Sequence, residues 1–567
     1  MRWRLLAVNC TMLLLFCITL FPTTVYGQSN INASLHTASL DFPAVNPDYI
    51  YNQLYTMVTR YQRREAGYDT EASNGHAGFA NYWAQEMVND LQGFGPQIHK
   101  DTFPVQGWQG RAATSPAENV EVSIPGATHP EQVVVIGCHY DGEAVSTQSA
   151  NDDASGCAIE LGVAKAMGDY WRQHHTYPSR TLRFVIFDAE EQGLYGSFHY
   201  LNQTINGDTQ NITAMFNEEQ NGIAYPLRYL GQLSNPLLPF YIEMSPLKNI
   251  QLLYPNQENL PQQQKDHIAR FRTLMQQAIE PVFAQFQAMG YSGLTYHGNN
   301  GQDIAQPIFS NTQISNIHAE DDTLGGSDQI PFTLAGIPCA TFVGNSTYYD
   351  NKPPAWSYPF DQPQDTIQLM NTFADGNSQK SNALTLALAL PGMLTTWMLN
   401  QPDILGQTAA SALPGGDPLT SISDIGLLSA GQPFTVDAKA TFTPNSPTTT
   451  YTYNWDFGDG TQASGDTISH TYSSNGDYTL TLTINAAGGQ SSVVKKTLHV
   501  VSSPVQYHNL YSSDQQNGIP PPNPQVTLPT PNDQLSDQII REPGAGTTSD
   551  NSQPQVSIGN TKFPLAL

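Results

Sequence analysis

Cysteine is scarce, with five in 567 residues, and Cys10 and Cys17 fall inside the apolar N-terminal run. The remaining three, Cys138, Cys157 and Cys339, are too few for a disulfide framework, which excludes the small stapled scaffolds of secreted mini-domains. Each lies in an apolar context, so buried free thiols are expected, with one pairing left open. Basic residues are scarce too: 23 Lys and Arg against 49 Asp and Glu give a formal charge of −26. That balance disfavours nucleic acid and anionic membranes as partners. Beyond the N-terminus, no run reads as long and apolar enough to span a bilayer. Residues 1–27 open with Met1-Arg2-Trp3-Arg4, continue through the apolar stretch 5–21 and end in Val25-Tyr26-Gly27. They read as a secretory signal peptide, with a signal anchor as the alternative. The expected location is therefore extracellular, with no membrane insertion once the signal is removed. Sequons at Asn32, Asn202, Asn211 and Asn345 matter only if the source glycosylates.

The chain is too long for one hydrophobic core. A helical pattern over 48–95 (Tyr51, Leu54, Val58, Tyr61, then Tyr82, Met87, Leu91) precedes strand-like stretches at 119–124 and 133–137. The second, Val133-Val134-Val135-Ile136, has no polar break, as a central strand covered on both faces requires. A helix over 155–170 and a second apolar strand at 182–187 follow. Strand, helix and strand in this order predict an α/β fold, a mixed sheet with helices on both faces, in which chemistry gathers at the carboxyl ends of strands. Residues 226–307 hold a Gln-rich helical stretch, expected in a cleft wall or cap. Residues 327–343 read as turn and buried strand, and 381–399 as a closing helix. After 401 the composition turns to Gly, Pro, Ser and Asp, as in linkers. All-β alternation follows to about 501, predicting a small sandwich, and then a Pro-, Gln- and Asn-rich tail. The boundaries read as 1–27 signal, 28–400 main domain, 401–419 linker, 420–502 β-sandwich and 503–567 disordered tail.

Three strand ends or helix starts carry acids or histidine. His139 follows the first buried strand, with Asp141 two residues on. Asn151-Asp152-Asp153-Ala154-Ser155-Gly156 opens a helix, where acids also serve as caps. The second buried strand ends in Asp188-Ala189-Glu190-Glu191, and adjacent acids repel unless a cation or proton separates them. Capping explains one such segment but not three meeting on one rim.

In this order the motifs resemble the M28 zinc aminopeptidases, a two-metal, zinc-peptidase-type family with a three-layer mixed-sheet fold. The matching stretches are His139-Tyr140-Asp141, Asn151 to Gly156, Glu190-Glu191-Gln192-Gly193-Leu194-Tyr195-Gly196-Ser197, Ser327-Asp328-Gln329-Ile330-Pro331-Phe332 and Gly336-Ile337-Pro338. The resemblance covers roughly residues 48–400. It implies a metallopeptidase acting on peptides or proteins, an aminopeptidase by the motif set. His139 would bind one metal, Asp152 would bridge two, Glu191 would bind the other, and Glu190 would be the general base. Asp141 would orient the His139 ring. Two positions depart from the family pattern. Glu219 stands where relatives usually have an Asp ligand, and Asp361 where they usually have a second His. One metal would then see only carboxylates (Asp152, Glu191, Asp361), so beside zinc, Mn, Mg or Ca can compete there. His318 is a substitute candidate, read otherwise as a loop or rim residue. The alternatives are an altered member acting as a binding or scaffold protein, and a glutaminyl-cyclase-type acyltransferase.

The β-sandwich resembles the Ig-like PKD domain through Tyr453-Asn454-Trp455-Asp456-Phe457-Gly458-Asp459-Gly460, His470-Thr471-Tyr472 and Gly476-Asp477-Tyr478. Here the residues read as structural: Trp455 and Phe457 in a core, Asp456 and Asp459 steadying a turn. Such modules are taken as spacers or as units that bind a surface or polymer.

Overall fold

The computed structural model describes residues 41–501, apart from 109–110, 206–208, 229–235, 248–259, 298–301, 323–326, 345–357, 359–360, 375–379, 410–417, 419, 421, 423–427, 439–440, 442 and 444–448, together with 555–558 and 561–564. The expected signal peptide, most of the linker's second half, residues 503–554 of the tail and the sequons at Asn32 and Asn345 lie outside the described residues. Eight strands form one sheet: β1 (Gln97–Phe103), β2 (Ala117–Ile124), β3 (His129–His139), β4 (Arg180–Phe187), β5 (Ile212–Glu219), β6 (Phe240–Met244), β7 (Ile317–Asp321) and β8 (Cys339–Val343). Their spatial order is β1-β2-β4-β3-β5-β8-β6-β7. The four central strands β4, β3, β5 and β8 run parallel, so their carboxyl ends share one rim. β2, β6 and β7 run antiparallel to that block, and the edge strand β1, antiparallel to β2, runs with it.

The unbroken apolar run of β3 has a direct cause. Val134 and Ile136 pack into one core with Leu54, Trp83, Ile159 and Leu388. Val133 and Val135 point the other way, into a second core with Phe187, Ile330 and Phe332. The larger core is covered by α1 (Pro47–Arg60), α2 (His76–Asp90), α3 (Ala154–His174), α4 (Gln262–Ala288) and α7 (Asn382–Leu399), the smaller by α5 (Gln329–Leu334). The Gln-rich stretch is α4, and it presents Phe271, Met275, Val282 and Phe286 to the core. Another short helix, α6 (Ile367–Phe373), is capped by Thr366. One expectation is corrected: α7 is apolar and long enough, by composition, to cross a membrane, with 18 residues at mean hydropathy 1.3. It is 89% buried within the fold, because it packs among α1, α3 and α4.

α3 starts where its sequence says it should. The Asp153 carboxylate accepts from the Gly156 amide at 2.9 Å, and Arg172 and His174 sit in the last turn, matching the helix dipole. Gly156 is required: a Cβ there would stand 2.0 Å from the Glu218 carbonyl oxygen. That close approach of α3 to β5 brings Asp152 and Asp153 beside Glu219. Cys138 at the end of β3 and Cys157 in α3 are joined as a disulfide, where free thiols were expected, while Cys339 is free and buried. Nothing local in the sequence signals this pairing, because it depends on α3 folding back across β3.

The C-terminal β-region has a five-stranded sheet in the order Leu428–Ser429, Ser491–Val501, Gly476–Ala486, Tyr451–Asp456 and Gln462–Ser464, and a pair of Phe434–Asp437 with Thr467–His470. Trp455, Phe457, Leu480, Leu482, Ile484 and Val494 fill its core. It is seated on α1 and α2. Arg60 makes a two-pronged ion pair with Asp477 at 3.0 and 2.5 Å, and the Gln92 side chain bonds to the backbone at Val493 and Lys495. Lys496 is buried against the Tyr49 ring at 5.3 Å, facing Glu86 and Asp90. Within the stretch expected to be a disordered tail, Gln555–Ile558 pairs antiparallel with Thr561–Pro564.

Candidate metal centre

His139 is the last residue of β3, Glu219 the last of β5, Glu190 and Glu191 lie in the turn after β4, and Asp152 and Asp153 directly precede α3. Parallel strands therefore deliver residues 80 apart in sequence to one point. His139 Nε2 stands 3.0 Å from Asp152, 3.7 Å from Glu219 and 4.0 Å from Glu190. Ligand-type atoms of His139, Asp152 and Glu191 all lie within 4.8 Å of one another, and so do those of His139, Asp153 and Glu219. None of these six side-chain-bearing residues is more than 6% exposed. Water is kept out, so the acids cannot dissipate their repulsion into solvent.

Their titration shows the strain of that packing. Burial pushes Glu190 well above the usual carboxylate range, with Glu219 and Asp328 adding repulsion and His139 opposing. Burial does the same for Asp153, with Glu219 next, and holds Asp328 at about 7. Asp361 is likewise raised by burial and then by Asp152, which it adjoins, and its Oδ1 is buried without a hydrogen-bond partner. Asp153 Oδ2 is also buried and unpartnered. Close, dry, donor-poor carboxylates around one imidazole are what cations in this place would satisfy.

Several supporting contacts were not foreseen. The Asp141 carboxylate accepts from the backbone amides of Glu190 and Glu191 at 3.1 and 3.3 Å, pinning the acidic turn. The same carboxylate stands 3.5 Å from His139 Nδ1, the ring contact expected of it. Asp365 accepts from the amides of Asn151 and Asp152 at 2.9 and 3.0 Å and from the Tyr358 hydroxyl at 2.7 Å. Buried Arg64 donates to the carbonyls of Tyr140, Gln148 and Ser149 at 2.7, 2.5 and 2.9 Å, tying the His139 and Asp152 loops together. The Gln220 amide reaches Asp152 at 3.0 Å, and the Ser327 hydroxyl reaches Glu219 at 2.6 Å. Glu143 donates its backbone amide to Glu191, and burial together with Asp152 pushes its carboxyl to about 7. Arg64 gave no signal because its partners lie 76 or more residues away, and Asp365 had none beyond its place in Pro363-Gln364-Asp365-Thr366, because the amides it holds lie more than 200 residues away. Asp153 had a signal: it belongs to the acidic pair opening α3, and it serves both as cap and as cluster member. His318 stands at the rim, as the commoner reading of it has it, and not at the centre. It sits on edge strand β7, stacked on Tyr241 at 5.0 Å and 3.5 Å from Glu320, because β7 pairs with β6 at the far side of the sheet.

The model of Peptidase family M28 matches residues 119–303, and that of the PKD domain residues 417–501. The chain carries an M28 peptidase domain and a PKD domain. The M28 match includes His139, Asp152, Glu190, Glu191 and Glu219, while Asp361 lies beyond it. A "Probable zinc metalloprotease" of Pyrenophora tritici-repentis is 34% identical over 128 residues, 20% of this chain and 25% of that one. Human "Carboxypeptidase Q" is 39% identical over 82 residues, 14% of this chain and 16% of that one. The chain thus spans a quarter or less of the length of these two relatives. The zinc aminopeptidase BSAP from Bacillus subtilis superposes with a TM-score of 0.40 at 13% identity, covering 63% of this chain and 95% of that one.

Proposed function

We propose that the chain is a secreted, metal-dependent exopeptidase of the aminopeptidase type. The observation that carries the reading is the convergence of His139, Asp152, Glu191 and Glu219 on one buried point, with Glu190 beside it. His139 and Glu219 on one side, Glu191 and Asp361 on the other, and Asp152 between them would hold two divalent ions. Such ions, when bound, polarise a scissile carbonyl and acidify the attacking water. Glu190, close to the cluster yet left over once the ligands are assigned, takes the proton of that water and returns it to the leaving amine. Asp141 holds Glu190 and Glu191 in the turn from which both reach the reacting atoms. With a single nitrogen donor among these residues, the site is harder than most zinc sites, so zinc has manganese, magnesium and calcium as competitors.

The direction of attack follows from charge. A peptide amino terminus is a cation and is drawn to a surplus of buried carboxylates. A peptide carboxyl terminus needs a cationic receptor, and the guanidinium of Arg64 is already taken up by three backbone carbonyls. Secretion is supported by the pattern of residues 1–27, and a polymer or surface role for the PKD domain by nothing beyond its presence. The test is hydrolysis of aminoacyl-anilides by the purified chain. Activity should vanish on exhaustive chelation and return with zinc or manganese, with two ions per chain by elemental analysis. Activity that survives chelation sinks the reading, and ammonia release from glutaminyl peptides in place of anilide hydrolysis would move it to acyl transfer.

A further inference from the structure

A second buried group of oxygens lies on the sheet face covered by α5, beside the catalytic cluster and joined to Glu219 through Ser327. Asn217 on β5 pairs with Thr341 on β8, and Thr341 pairs with Glu243 on β6, so three side chains stand side by side across three strands. All three are at most 1% exposed. Asn217 Oδ1, Thr341 Oγ1 and both carboxylate oxygens of Glu243 are buried without a hydrogen-bond partner. The amide orientation of Asn217 is fixed by its neighbours. The Ser327 hydroxyl donates to Glu219, so it can only accept from Asn217 Nδ2, at 2.9 Å, which leaves Oδ1 facing elsewhere. Gln329, at the start of α5, closes the group: its Oε1 accepts from Asn217 at 3.4 Å, and its Nε2 donates to Asp322, 2% exposed, at 3.0 Å. The neighbouring guanidinium of Arg272 is held by Asp321 at 2.6 Å and the Ser245 carbonyl at 3.0 Å.

This group has acceptors and too few donors. Unpartnered buried polar atoms are costly, a carboxylate most of all, so four together in a folded protein call for an occupant. The donor set contains amide, hydroxyl and carboxylate oxygen, and neither nitrogen nor sulfur. Oxygen-only sites select hard cations. Two carboxylates, Glu243 and Asp322, match a double positive charge. We propose that Glu243, Asp322, Asn217 Oδ1 and Thr341 Oγ1 form a structural site for a calcium-class divalent cation, separate from the catalytic pair. Because Asn217 lies two residues before Glu219, such an ion would also steady the strand end that carries Glu219.

The test uses the full chain saturated with zinc, titrated with calcium chloride by calorimetry and followed by thermal unfolding. Wild type and Asp152→Asn should each bind one calcium ion, with the unfolding midpoint raised by roughly 5 °C at calcium one hundred times its Kd. Glu243→Gln should lose at least about 100-fold in calcium affinity while keeping its zinc. If Glu243→Gln does not fold, Thr341→Val, which retains both carboxylates, should bind calcium about 10-fold more weakly. Calcium binding lost in Asp152→Asn, or unchanged in Glu243→Gln or Thr341→Val, overturns the site. So does a wild-type midpoint that ignores calcium and falls as pH rises, the behaviour of a protonated Glu243.

Discussion

Asp456 and Asp459 in the PKD turn and the acids at the rim of the M28 sheet are the same chemistry in opposite surroundings. In the PKD turn, the Asp456 carboxyl lies below the usual range because the Gly458 amide and then Gln462 donate to it. Slight burial raises Asp459, but the Thr461 hydroxyl and amide and the His470 ring outweigh it and bring it below the usual range. Every charge there has a donor and water beside it. At the M28 rim, donors are few and water is excluded, so Glu190, Asp153 and Asp361 are all pushed upward. The density of acids along a chain therefore does not mark a metal centre. Dryness and a shortage of donors do, and both are properties of the packed molecule.

The largest expected effect would break the comparison outright. Glu190→Gln should retain bound metal while turnover falls about 100-fold or more, whereas Asp459→Asn should leave turnover untouched; equal losses in the two variants would erase the distinction. Removing the Cys138–Cys157 link by alanine at both positions should cost about 3 kcal/mol by urea unfolding, from the loop it closes. The PKD transition should stay where it is, and a midpoint for the M28 domain that does not move would show that packing alone holds β3 to α3.

A third expectation concerns pH. His76 is buried between Asp69 and Asp188, at 2.8 and 2.7 Å from its two ring nitrogens. Burial lowers its pKa, but Asp188 and Asp69 outweigh it and hold it at about 10. The folded value exceeds the unfolded one near 6.5. Its stabilisation is therefore complete below about pH 6.5 and lost progressively as pH rises to about 10. Urea midpoints should fall across that window in wild type and fall less in His76→Gln; parallel curves would remove the imidazolium from the account. The smallest effect belongs to the PKD contact. Arg60 and Asp477 are each more than a third exposed, so Arg60→Ala should cost at most about 1 kcal/mol. A much larger loss would mean that the PKD domain is held by charge rather than by the buried contacts around Lys496.

Much of this was legible in the chain. The apolar runs at 133–136 and 182–187, the acids that follow them and the glycine-rich turns of the PKD domain are local patterns, and the strands, the α3 start and the Trp455 core stand where those patterns put them. The closing helix α7 also stands where expected, but its apolar length was underrated, since a helix buried on all sides and a membrane span have the same composition.

By itself, the order of residues determined which strands are central, where α3 begins and which acids stand at strand ends, because these depend on neighbours within a few positions. Tertiary structure alone decided that Cys138 meets Cys157, that Asp153 joins the cluster, that Asp141 grips a backbone turn besides facing the His139 ring, and that His318 stays at the sheet edge. Those outcomes depend on distances between segments far apart in the chain, and such distances are fixed only when the sheet has assembled and its helices have closed over both faces.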